Sequence, residues 1–228
     1  MPMKGNGSTA LREIDRFEGG VGWIAYPDEA MERASHALAT DDGLWLVDPV
    51  DADGLDDLLA EFGDVAGVVV CLDRHKRDAA KIARRHDVAV HLPTWMSGVA
   101  SKIDAPIERF TGELGESGYE LFEIRTSSLP PWQEAGLHNP DTGTLVVPES
   151  VGTADYFLTD GERLGVHPML RLSPPRDALD RYSPDRILVG HGDGVLTDAA
   201  SALDTALSTS TRDAASLYGK TVKQFLLG

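Results

Sequence analysis

Apolar and polar positions change period several times along the chain, and each change marks an element. Residues 35–50, SHALATDDGLWLVDPV, alternate on both sides of Asp41-Asp42-Gly43, which is hairpin turn chemistry, and the second strand runs into Asp48-Pro49. From Asp51 to Phe62, Leu55, Leu58, Leu59 and Phe62 fall at helical spacing, with Asp53 placed as the N-cap. Val68, Val69, Val70 and Cys71 form an unbroken apolar run, the pattern of a strand covered on both faces. A charged loop begins at Asp73. The helix after it puts Ala79, Ile82, Ala83 and His86 on one face and Arg77, Lys81, Arg84 and Arg85 on the other, and a second strand ends at Pro93. Ligands of α/β folds sit beyond the carboxyl ends of strands, so residues 73–78 occupy the best place in the chain for chemistry.

The remaining segments are shorter. Residues 94–103 read as one helix, 119–125 as a strand, and 135–147 as a hairpin closed by Asn139-Pro140-Asp141-Thr142-Gly143. Pro130, Pro131 and Trp132 predict an irregular loop between these two. Residues 149–172 have no period. A helix over 175–182, a strand over 186–189 entering Gly190-His191-Gly192, and two helices over 197–207 and 212–227 complete the chain. The order predicts an α/β protein: a four-layer αββα sandwich of two mixed β-sheets flanked by helices. One domain is expected over 1–228, with 1–10 a loose N-terminal segment.

Composition narrows the partners. The 228 residues carry 37 acidic against 21 basic side chains, a net charge of −16. That balance argues against nucleic acid and anionic membrane, and resembles an acidic, halophile-like surface. Cys71 is the one cysteine and lies in an apolar run, which precludes an intrachain disulfide and suits a cytoplasmic protein. No apolar run approaches the ~18 residues of a membrane span, and no signal-peptide core is visible near the N-terminus.

Four stretches together resemble the metallo-β-lactamase superfamily. Leu46-Val47-Asp48-Pro49 is similar to that family's early L-I-D-x-G strand end, and residues 70–78 fall where the family has H-x-H-x-D-H. Thr144-Leu145-Val146-Val147-Pro148-Glu149 is similar to the segment ending in the family's bridging Asp, and residues 183–192 to the strand and P-G-H-G turn that carry its last histidine ligand. The chain departs from the pattern in the ligands. Asp73, His75, Arg77 and Asp78 stand at the family's H, H, D and H; shifted by one residue, Arg74, Lys76, Asp78 and Ala79 do. The segment 126–132, where a third histidine belongs, has none, and Glu149 holds the bridging position. The resemblance implies a metal-dependent hydrolase with most ligand positions replaced.

Two uses of the site stay open. Asp73, His75, Asp78, Glu149 and His191 supply enough donors for one ion of zinc, iron or manganese, with Asp73 or Asp78 taking the proton of an attacking water. The substrates would be small esters, thioesters or lactones. Such a site requires the His191 imidazole to face His75. Against it, Arg74, Lys76 and Arg77 repel a cation and favour an anion instead, and residues 74–85 hold six of the 21 positive charges. On that second reading the protein is a metal-free, non-catalytic relative that binds a small anion or a protein partner through Arg74 to Arg85. Asp48 is expected to orient a histidine or arginine, Trp132 to wall the pocket, and His138 to approach its mouth. His36, His86, His91 and His167 read as structural residues.

Overall fold

The computed structural model describes residues 2–5 and 10–227, with side chains as far as 219. Strands β1 (Arg12–Phe17), β2 (Gly20–Ile24), β3 (Ala34–Thr40), β4 (Gly43–Val47), β5 (Val65–Val69), β6 (Val90–Pro93) and β7 (Ile107–Phe110) form one sheet in that order. Pairing is antiparallel from β1 to β4 and parallel from β4 to β7. Strands β8 (Glu120–Ser128), β9 (Pro131–Asn139), β10 (Thr144–Val147) and β13 (Arg186–Val189) form a second sheet in the order β13-β10-β9-β8, with β13 parallel to β10. A short ribbon pairs β11 (Val151–Gly152) with β12 (Gly165–Val166).

Alternation along the strands assigns the faces, because successive side chains point to opposite sides of a sheet. In β4, Leu44 and Leu46 pack with α1 (Leu55–Ala60) and α2 (Ala79–His86), whereas Trp45 and Val47 face the other sheet. Val68 and Val70 likewise join the helices, and Val69 and Cys71 the inter-sheet core. In the second sheet Val146 and Leu188 point inward. Leu145, Val147, Ile187 and Val189 point out, onto α3 (Arg176–Leu179) and α4 (Ala199–Leu227) through Leu179, Leu203 and Leu207. The layers are helix, sheet, sheet, helix, the αββα sandwich that the sequence pattern predicts. Among the described residues no helix is long and apolar enough to cross a membrane.

Several local expectations are corrected. Strands β1 and β2 precede the predicted hairpin. The described part of the N-terminal segment is docked rather than loose: Ala30 N donates to Pro2 O at 2.8 Å and Gly5 N to Glu29 at 2.7 Å. Gly54, at φ 81, is the N-cap of α1 in place of Asp53. Residues 94–103 contain only a single 3-10 turn, Ala100–Lys102; the Arg109 guanidinium takes up the carbonyls of Pro93 and Met96 that a helix would have used. Pro131 and Trp132 begin β9 and do not lie in a loop, since a proline at the first position of a strand removes no essential ladder bond. The two predicted C-terminal helices are one. Ser210 and Thr211, residues of low helix propensity, donate to the carbonyl of buried Arg171, and this tertiary tie holds the helix through the join.

Leu188 is fully buried between the sheets. Leu188→Ala is expected to lower the unfolding free energy by about 3 kcal/mol, read from urea denaturation.

Candidate metal centre

The site forms where the carboxyl ends of β4, β5, β10 and β13 meet. At the end of β4, Asp48 adopts a left-handed backbone (φ 45) and turns its buried carboxylate back across the sheet. One oxygen accepts from Cys71 N at 2.8 Å, and the other contacts His75 Nδ1 at 3.0 Å. Beyond β13, Gly190-His191-Gly192 passes close against two other loops. A Cβ on Gly190 would lie 2.1 Å from Pro148 O, and Gly192 has φ 86, so neither position takes a larger residue without displacement. His191 Nδ1 donates to Met31 O at 2.7 Å.

Glu149 follows β10 and is set by a second acid. Glu134, fully buried on β9, accepts from the backbone N–H of Glu149 and Ser150, from Ser150 Oγ and from Trp132 Nε1. Burial pushes the Glu134 carboxyl up against those bonds. Held this way, Glu149 Oε2 lies 3.0 Å from His75 Nε2 and 3.0 Å from His191 Nε2. Glu149 Oε1 meets His167 Nε2 at 3.3 Å and Arg74 Nη2 at 3.9 Å. His167 Nδ1 accepts from Met169 N, and burial pushes its pKa down to about 4, so the neutral ring carries its hydrogen on Nε2 and donates to Glu149.

Protons decide what the centre can hold. Met31 O only accepts, so the His191 Nδ1 must carry hydrogen, and burial favours the neutral ring. Its Nε2 then presents a lone pair to Glu149. Burial by itself would raise the Glu149 carboxyl, but where His191 and His75 hold a proton on Nε2 their N–H donation and charge outweigh it and hold the carboxyl well below its usual range. Asp48 engages Nδ1 of His75 in the same manner. His75, Glu149 and His191 thus bring three donor atoms within 4.8 Å of one another, the one such group of His, Cys, Asp or Glu among the described residues. Lone pairs in this arrangement call for protons or a cation between them. Two imidazoles and a carboxylate, each imidazole fixed through its other nitrogen, are a donor set for zinc or non-haem iron, and the residues fit such an ion.

No family model matches the sequence, and no curated protein matches it. Among solved structures the chain is similar to the DIM-1 metallo-β-lactamase, with a TM-score of 0.64 and 15% identity over 90% of this chain and 99% of that one. It is also similar to a metallo-β-lactamase from Pontibacter korlensis, with a TM-score of 0.64 and 14% identity over 88% and 99%. The mono-zinc form of FIM-1 from Pseudomonas aeruginosa gives a TM-score of 0.59 and 9% identity over 91% and 97%. The chain has the metallo-β-lactamase fold.

Within that fold, three of the five expected ligands converge and two do not. Asp78 precedes α2 and accepts from Asp51 N at 2.9 Å, beside a cavity lined by Tyr26, Asp51 and Lys81, which removes it both as ligand and as proton acceptor. Asp73 lines a separate cavity of about 470 Å³ with Trp132 and stands outside the converging set. His138 is corrected: it lies at the far end of β9 from Trp132 and packs on Tyr182 at 4.7 Å. Trp132 is buried beside the site, its ring 5.1 Å from His167. Residues missed in the sequence are His167 and Glu134. His167 lies in a stretch without period, and Glu134 is an ordinary acid in an alternating strand, so neither carries a local signal.

The basic stripe is also corrected. Arg77 donates to the carbonyls of Ala34, Asp48 and Gly190; Lys81 and Arg85 pair with Asp51, and Arg84 pairs with Asp104. Lys76 is exposed. Arg77 therefore binds backbone rather than a ligand. Arg77→Ala is expected to cost about 3 kcal/mol of stability by stranding those carbonyls, whereas Lys76→Ala stays within about 0.5 kcal/mol, both read from denaturant melts.

Proposed function

We propose that the protein is a hydrolase of small esters, thioesters or lactones, working with one divalent ion held by His75, Glu149 and His191. The observation that carries this reading is the meeting of three lone-pair atoms, with the Nδ1 of each histidine already committed to Asp48 or to Met31 O. A bound ion supplies Lewis acidity and a hydroxide-like nucleophile at neutral pH. The chain's own residues do the rest. Asp48 and Met31 O keep each ring in the tautomer that leaves Nε2 free. His167 Nε2 occupies Glu149 Oε1, so that Oε2 faces the imidazoles. The rings of Tyr156 and Phe157, each 5.9 Å from the His191 ring, keep water from that side.

One observation favours a metal-free binding protein instead: four groups, His75, His191, His167 and Arg74, already surround the Glu149 carboxylate. Elemental mass spectrometry of protein purified without chelator separates the two. The hydrolase reading expects about one zinc, iron or manganese per chain, lost in His191→Ala and held some 10–100-fold more weakly in Asp48→Asn. Protein that contains no metal and takes up none on incubation overturns it.

A further inference from the structure

Six cations crowd residues 74–85, and the structure accounts for four of them through short bonds to carbonyls or surface acids. Arg74 is different. Its guanidinium lies 4.0 Å from the centre of the Trp132 ring, and its other contacts are long: 3.4 Å to Pro131 O, 3.7 Å to Asp73 and 3.9 Å to Glu149. Charge-assisted hydrogen bonds are about 2.7–2.9 Å long, so none of these satisfies the group. The side chain is nevertheless not free to wander. Trp132 is fixed by its bond to Glu134, and a planar cation stacked on a fixed indole presents its N–H fork in a set plane.

The place matters as much as the group. Arg74 touches Glu149 of the triad on one side, and on the other Asp73 and Trp132, which line the 470 Å³ cavity. Lys102 and Ser97, both exposed, line the same cavity together with half-buried Ser127 and Gln133. Arg74 does not itself line the cavity but adjoins it through Trp132 and Asp73, so the guanidinium stands at the edge of that space on the side of Glu149.

We infer that Arg74 is the anchor for an acidic group of the substrate, a carboxylate or a phosphate, whose body lies in the cavity bounded by Asp73, Lys102 and Trp132. The substrate class is then an anionic acyl compound rather than a neutral ester or lactone. The reaction part of this inference rests on the hydrolase reading, and the binding part does not. Isothermal titration of the intact protein with glutarate and with inorganic phosphate tests the binding. Either anion is expected to bind. Arg74→Ala should weaken it by about tenfold or more, and Arg74→Lys by less, since a charged hydrogen-bond pair is lost in one and only its bidentate geometry in the other. Which anion binds more tightly assigns the acid as carboxylate or phosphate. Metal content measured on the same samples, expected unchanged in both variants, reports separately on the hydrolase reading. Where neutral p-nitrophenyl acetate and anionic mono-p-nitrophenyl glutarate are both turned over, Arg74→Ala should raise KM for the anionic ester alone. Equal anion affinity in the parent and Arg74→Ala, or no binding of either anion to the parent, overturns the inference.

Discussion

A single guanidinium joins the parts of this site. Arg77 lies between the carbonyl groups of Ala34, Asp48 and Gly190, which belong to the start of β3, the end of β4 and the end of β13. These three chain segments come from two different sheets. Their carbonyls point into the junction where no ladder continues, and a buried carbonyl without a partner is costly. One planar cation with several donors satisfies all three, which neither lysine nor a neutral side chain does with the same geometry. Arg77 also takes a strained left-handed backbone, φ 38, that an arginine tolerates only where its surroundings hold it. Because Asp48 and His191 flank two of the clamped carbonyls, the positions of both histidines depend on this contact.

The clamp also alters the electrostatics of the fold. Arg77 stands where the resemblance places an acidic ligand, so a carboxylate has been exchanged for a cation that turns to backbone. The remaining donors, His75, Glu149 and His191, fit one ion rather than two. Glu149 then becomes the centre of the charge balance: Oε2 faces the two imidazoles, and Oε1 faces His167 and Arg74. Glu134 lies beneath it, fully buried, and orders the turn through two backbone N–H groups. The two acids divide the work, one holding the loop and the other facing the site.

The layered fold was legible because it rests on period. Alternation in residues 35–47 and the unbroken run from Val68 to Cys71 give strands in the right places, and Leu55, Leu58 and Leu59 or Ala79, Ile82 and Ala83 give buried helix faces. Where period fails, tertiary contacts decide. The Ser-Thr run at 208–211 is helical because Arg171 O lies above it, and 94–99 is not because Arg109 takes its carbonyls. His75, Glu149 and His191 were visible as donors from their places after strands. Asp73 and Asp78 were visible for the same reason, yet lie elsewhere, since one residue along a turn redirects a side chain by a large angle.

The basic stripe shows why charge in sequence does not report charge in space. Along α2 the cations share one face, and from the sequence that face looks like a single positive surface. Each partner lies on another element: Asp51 and Asp56 before and in α1, Asp104 after the 3-10 turn. A protein with a large excess of acid offers a carboxylate to most exposed cations, and exposed pairs of this kind contribute little beyond neutralising one another. Arg74 is paired only at 3.7 Å to Asp73 and 3.9 Å to Glu149 and is held instead on an aromatic ring, because stacking on Trp132 satisfies its flat face and leaves its edge. Arg74 has no special place in the sequence pattern. It is distinguished by Trp132, more than fifty residues away, and Trp132 in turn by Glu134.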